Sequence, residues 1–181
     1  MSKSMIILIA IAVIVVIVLL WAISTTNEFK RSEIRVKESA SGIEVALAKR
    51  FDTLIKMLDV AKGYADYEQE TILKTVSIRK GMNIDEMNSA AQKMNKVLGE
   101  INIAAEEYPE LRSSEVFMEL QRSIMDVEEK LQSARNRYNS NVKSYNKVIN
   151  MFPAKLFAGN RTEKAFFISE EQNIKDIKIE L

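Results

Sequence analysis

The stretch Glu128-Glu129-Lys130-Leu131-Gln132-Ser133-Ala134-Arg135-Asn136-Arg137-Tyr138-Asn139 decides the fold. Through and before it, apolar residues recur in alternating steps of three and four: Phe117, Leu120, Ile124, Val127, Leu131, Ala134, Tyr138. That spacing keeps one stripe on one side of an α-helix and marks the seam of a helix bundle. Past Ala134 the steps to Tyr138, Val142 and Tyr145 become four, four and three. The seam therefore drifts locally toward an eleven-residue period. The patterned stretch, residues 107–153, ends at Phe152-Pro153, where a proline removes the donor a continuing helix needs.

Upstream, Ile84, Met87, Ala91, Met94, Leu98, Ile101, Ala105 and Tyr108 keep the same alternation and predict another helix. Pro109 ends it, because the residue before a proline is pushed out of the helical region. Ser113 or Ser114 is placed to cap the last helix, without a capping box. Lys80-Gly81-Met82-Asn83 reads as a turn, with glycine suited to the position after a helix and Asn83 suited to cap the next one. Met87 and Met94 read as core fillers.

Residues 27–79 are also helical in pattern. Val36, Ala40, Ile43, Leu47, Phe51, Leu54, Leu58, Ala61 and Ala65 form a stripe that Ile72 and Val76 continue. One unbroken helix over 27–79 would reach roughly 80 Å at 1.5 Å per residue, far beyond the next helix. A break near Gly63 gives better matched lengths and a four-helix, up-down bundle. Three long helices are the alternative.

Met5 to Ile23 is an unbroken apolar run. About 20 such residues span the hydrocarbon core of a bilayer as a helix. A signal peptide has a shorter apolar region, and Ala22-Ile23-Ser24 is a poor cleavage signal. The run is read as a retained anchor, with Met5, Ile6 and Ile23 in its apolar surface and Trp21 at its interfacial end. Lys30, Arg31, Arg35 and Lys37 follow it, against Lys3 before it. Positive-inside bias favours the helical domain on the cytoplasmic side, with a short external N-terminus; the reverse orientation is the alternative. The expected layout is an anchor at 1–26, a helical bundle at 27–158 and a flexible tail at 159–181. Ile177, Ile179 and Leu181 give that tail a short strand-like alternation. Phe152, Leu156 and Phe157 form either a membrane-proximal set beside Lys155 or a lid on the bundle end.

Composition bounds the chemistry. The 181 residues carry a formal charge of +1, without histidine or cysteine. No basic stripe suggests nucleic acid. Neither a thiolate nor the commonest general base and metal ligand is present, and no cofactor is expected. The usual di-metal carboxylate bundle needs Glu-x-x-His motifs and is excluded. Glu106-Glu107, Glu128-Glu129 and Glu170-Glu171 are read as solvated faces, because neighbouring helix positions point about 100° apart. The most specific polar set is Arg135, Tyr138, Asn139, Tyr145 and Asn146. Its two Tyr-Asn pairs lie seven residues apart and repeat one surface after two turns. It reads either as a hydrogen-bonding ladder fixing helix register or as a docking face for another protein.

The same blocks carry a resemblance. Glu128, Ala134-Arg135, Tyr138-Asn139, Tyr145-Asn146 and Phe152-Pro153 match the LemA family pattern, as do Tyr108-Pro109-Glu110-Leu111, Lys49-Arg50-Phe51-Asp52 and Lys62-Gly63-Tyr64-Ala65. The resemblance covers about Phe29 to Phe157. It departs at Ile55 and Lys56, where the family has proline and asparagine, which removes a kink signal. It implies an all-α four-helix bundle facing the cytoplasm. It brings little chemistry with it, and the first reading is a non-enzymatic membrane-tethered scaffold or adaptor binding another protein, in membrane quality control or envelope stress. A self-assembling membrane organiser, whose partner is itself, and a ligand-sensing bundle are the alternatives.

Overall fold

The computed structural model describes residues 3–64, 76 and 78–168. Its elements are helices α1 (Lys3–Ala61), α2 (Ile84–Glu107), α3 (Pro109–Ser113) and α4 (Glu115–Asn150), then a 3-10 turn at Ala154–Phe157. The chain is all-α, with one long apolar N-terminal helix. Residues 65–75, on which part of the expected second bundle helix falls, and the strand-like residues 177–181 lie outside the described residues.

Anchor and first bundle helix, expected to part at residue 26, are one helix from Lys3 to Ala61. Neither proline nor glycine interrupts it before Gly42, so nothing forces a break. It passes through Ile55 and Lys56 and ends where the sequence places a break. There Lys62 N–H still reaches the Leu58 carbonyl at 2.9 Å, but Gly63 and Tyr64 donate to Val60 and Ala61 at 3.2 and 3.0 Å. The last turn has tightened to i→i+3 bonds, the usual way a helix closes.

The buried face of α1 keeps Val36, Ile43, Leu47, Leu54, Leu58 and Ala61 of the predicted stripe and adds polar residues to it. Phe29, Val36, Ile43, Arg50 and Met57 recur every seven residues and are all buried; Ser32, Ser39, Ala46 and Thr53 do the same. Ala40 and Phe51, placed on the stripe from sequence, are only half-buried. A strict heptad with small residues at every second seam position explains the change: it admits close neighbours, and Arg50 rather than Phe51 points inward. The buried hydroxyls are satisfied locally. Thr53 donates to the Lys49 carbonyl at 2.9 Å. Ser32 donates to Glu28 at 3.2 Å and accepts from Arg35 at 2.8 Å.

Two compact units follow from the contacts: residues up to Lys37 with Ser140–Lys164, and Glu38–Asn139 with the segment from Ala165. In the second, α1 and α2 run parallel, because Gly81 donates to Glu44 at 3.0 Å and Arg50 to the Ala91 carbonyl at 3.2 Å. The core there is Leu47, Leu54, Met87, Met94, Ile101, Leu111, Phe117 and Leu131, each at most 1% exposed. Full burial of such a side chain contributes about 1.5–3 kcal/mol. In the first unit, Phe29, Val142 and Tyr145 are buried, and Asn141 donates to the Arg35 carbonyl at 3.2 Å.

The turn into α2 is as read from sequence. Gly81 has φ +79°, a region costly for a residue with a Cβ. Asn83 accepts from Glu86 N–H at 2.9 Å, and Glu86 accepts from Asn83 N–H at 2.8 Å, a complete capping box. Tyr108 is extended and Pro109 opens α3, so the last patterned stretch is divided into a short helix and a long one at Ser114.

Asn83→Ala is expected to destabilise the full chain by about 1 kcal/mol in a urea titration. Gly81→Ala is expected to cost about 1–2 kcal/mol from backbone conformation alone. The Asn83 N–H, then Arg79, hold the Glu86 carboxyl below its ordinary range. A depressed acid stabilises the fold above its unfolded pKa, and that contribution is lost as pH falls through the folded value. Glu86→Gln should therefore flatten the acid limb of the stability profile below pH ~4.5, a window set by linkage.

Candidate functional site

Two motif residues meet in the second unit, against the backbone of α2. Arg50, from the Lys49-Arg50-Phe51-Asp52 block, is 2% exposed and donates to the Ala91 carbonyl of α2 at 3.2 Å. Its Nε lies 2.5 Å from Oε1 of Glu128 on α4. One guanidinium thus joins α1, α2 and α4. Arginine suits this because its fork of donors is rigid and it stays charged. Ala90 and Ala91 keep the surface of α2 low enough for the guanidinium to reach backbone. Glu128 is therefore not simply part of a solvated face. The signal was a cation set where the helical period wants an apolar residue.

A second cluster gathers on α4 and the extended segment Ala165–Ile168. Asn139 exchanges two hydrogen bonds with the backbone of Phe167: its amide donates to the carbonyl at 3.0 Å, and its oxygen accepts from the N–H at 2.8 Å. Tyr138 O–H donates to the Ala165 carbonyl at 3.0 Å. Arg135 stands over the Phe167 ring, 4.7 Å from its centroid, and that ring is 1% exposed. Ile168 N–H donates to Asn88 on α2 at 3.2 Å. The Tyr138 phenol is pushed up, first by burial and then by Asp85.

The first unit repeats the amide exchange. Asn146 donates to the Lys164 carbonyl at 3.0 Å and accepts from its N–H at 2.9 Å. Asn150 donates to Glu163, and Lys164 Nζ lies 5.9 Å from the Tyr145 ring centroid. Burial raises the Tyr145 phenol, Glu33 adds to the rise, and Arg161 opposes it. Arg161 also stands 4.9 Å over the Phe29 ring.

All five residues of the Arg135–Asn146 set therefore contact the segment that follows the last helix. Their amides bond to extended backbone; the sequence had offered another helix or a foreign partner. Residues 161–168, placed from sequence in a flexible tail, are held along α4 in this way. Extended backbone gripped by side chains has no periodicity, so the only advance sign was the pair Phe166-Phe167.

The end of the apolar run also has a partner. Phe157 packs edge-on against Trp21, with centroids 5.3 Å apart. Phe152 and Leu156 beside it are 78% and 72% exposed. From Met5 to Leu20 every residue of the run is exposed, as are Trp21 and Ile23.

Glu128→Ala should cost toward the lower end of about 3–5 kcal/mol, because it strands a buried guanidinium. Arg50→Met combined with Glu128→Leu should recover most of that loss in thermal unfolding. For Tyr138 the folded phenol keeps its proton to higher pH than the unfolded one. Its contribution is complete below the unfolded pKa of ~10 and is lost as pH rises through the folded value. Tyr138→Phe should therefore lessen the alkaline fall in stability.

Against this geometry, the comparisons are specific. The LemA family model matches residues 39–181, from Ser39 onward and beyond the apolar run. Protein LemA of Metamycoplasma hominis is 27% identical over 135 residues, covering 72% of this chain. The alignment spans 62% of that relative's length, less than two thirds. With the family model matching well over half of the sequence, this chain belongs to the LemA family.

Proposed function

We propose that the chain is a membrane-anchored, non-enzymatic scaffold or adaptor that holds a helical bundle at the bilayer and binds another protein there. The observation that carries the reading is α1. Its large apolar residues from Met5 to Ile23 face outward, and they belong to the same helix, Lys3–Ala61. A run of 19 apolar residues gives about 28 Å of helix, close to the ~30 Å hydrocarbon core. Leaving that surface in water would expose far more than an ordinary apolar patch. Bilayer insertion removes the cost, and tethering raises the local concentration of membrane partners.

The contact of Phe157 with Trp21 supports a second element of the reading. Trp21 closes the apolar run, at the depth where interfacial aromatics sit. Phe152 and Leu156, exposed on the corner that carries Phe157, are then membrane-proximal, with Lys155 toward the headgroups. Lys30, Arg31, Arg35 and Lys37 beyond the run favour a cytoplasmic bundle and an external N-terminus. Balanced charge supports a protein partner over nucleic acid.

Trp21 is the chain's single tryptophan, so its emission reports directly. In phosphatidylcholine vesicles, lipids brominated near the glycerol end should quench it more strongly than lipids brominated at the chain ends. Emission insensitive to either lipid, with release of the protein by alkaline carbonate, would defeat the anchor. The adaptor role is tested by in-cell cross-linking of the tagged full chain and mass spectrometry. A reproducible foreign partner supports it; large species containing only this chain would replace it with a self-assembling membrane organiser.

A further inference from the structure

We infer that the face formed by Asn88, Arg135, Tyr138 and Asn139 is a recognition site for an extended peptide with one buried aromatic side chain. Its occupant in trans is the Ala165–Ile168 segment of a second copy of this chain. In the structure the site is filled by the chain's own segment, which shows what it accepts.

Three of its contacts go to main chain: the two-way exchange of Asn139 with Phe167, the Tyr138 bond to the Ala165 carbonyl, and the Asn88 bond from Ile168 N–H. A fourth goes to a side chain, the Phe167 ring under the Arg135 guanidinium. Ala165, Phe166 and Ile168 remain exposed. The site thus reads an extended backbone and one ring. An asparagine that satisfies the N–H and C=O of one residue takes the place of a neighbouring strand, the main-chain matching by which peptides add to a sheet edge. Arginine over an aromatic face supplies the selective contact.

A second copy fits because it carries this segment unchanged, so exchange creates no contact that the closed chain lacks. Such exchange of an identical element is a low-cost route to dimers. Gly159, at φ +58°, marks a turn between the 3-10 corner and the segment. Exchange breaks the bonds of Ala165, Phe167 and Ile168 to Tyr138, Asn139 and Asn88 in cis and re-forms the same bonds in trans. This deepens the adaptor reading by naming a binding face and a partner, and it rests on that reading only for its biological use.

The test uses the full-length chain in detergent micelles. The probe is a fluorescein-labelled peptide of residues 161–168, Arg-Thr-Glu-Lys-Ala-Phe-Phe-Ile. Phe167→Ala should empty the site, and the peptide should bind this variant at least tenfold more tightly than it binds the wild-type chain. Adding Asn139→Ala to Phe167→Ala, or replacing the peptide's second phenylalanine with alanine, should abolish the anisotropy change. Differently tagged Phe167→Ala and Asn139→Ala chains should co-purify with each other, since one supplies an intact site and the other an intact segment. Neither should co-purify with itself.

Absence of binding to a folded Phe167→Ala chain, or binding indifferent to Asn139→Ala, overturns the site. Binding of the peptide without co-purification of the two variants overturns the second copy as occupant. If Phe167→Ala does not fold, residues 165–168 replaced by Gly-Ser-Gly-Ser serve instead. Failure of both to fold makes the segment an integral part of the core and overturns the inference. Because these assays need no bilayer, their failure leaves the anchor and foreign-partner tests intact. Failure of those tests leaves the peptide result standing.

Discussion

A charged side chain sits where three helices of the second unit meet, and its burial constrains the rest. Arg50 is 2% exposed, so its charge has to be met by partners fixed in place. The Ala91 carbonyl and the Glu128 carboxylate are those partners. Sliding α2 or α4 by one turn against α1 would leave a guanidinium unmatched in an apolar setting. Apolar seams alone tolerate such slips, since one leucine resembles the next; an ion pair does not. Replacing such a pair by apolar residues is often neutral for net stability, which leaves uniqueness of packing as the contribution to look for. Residues of two motif blocks thus meet at Arg50–Glu128, beside the tyrosine–asparagine set on α4.

Helix positions were legible in the sequence because α2 and α4 are amphipathic with few interruptions. Met87, Ala91, Met94, Ile101 and Ala105 on α2 are buried as the spacing predicts, and so are Phe117, Ile124, Val127, Leu131 and Tyr138 on α4. What stayed hidden on α1 was hidden for a physical reason. Serine, threonine and arginine occupy buried seam positions there, and an apolarity pattern cannot register them. Their hydroxyls turn back on the preceding turn or bond to neighbours on the same helix, which lets polar groups be buried without a partner elsewhere.

The candidate site was half legible. Arg135, Tyr138, Asn139, Tyr145 and Asn146 stood out as polar residues bordering a seam, and the structure engages each of them. Their ligand was not legible, because residues 161–168 have neither a helical nor a strand period. Family membership adds the body of the bundle from Ser39 onward and leaves the apolar run to be argued from α1 itself. There the observation is that the residues of α1 from Met5 to Leu20 are all exposed.

The grip of Asn139 on Phe167 has one more consequence. A side-chain amide that pairs with a peptide unit is blind to the residue bearing that unit. Mutational drift at Ala165, Phe166 and Ile168 is thereby decoupled from attachment, while drift at Phe167 is not. The segment can change its outward chemistry, in charge, in size or in hydrophobicity, and stay where it is. Its three exposed positions form a presentable surface on a fixed backbone, open to rapid divergence without loss of the mooring.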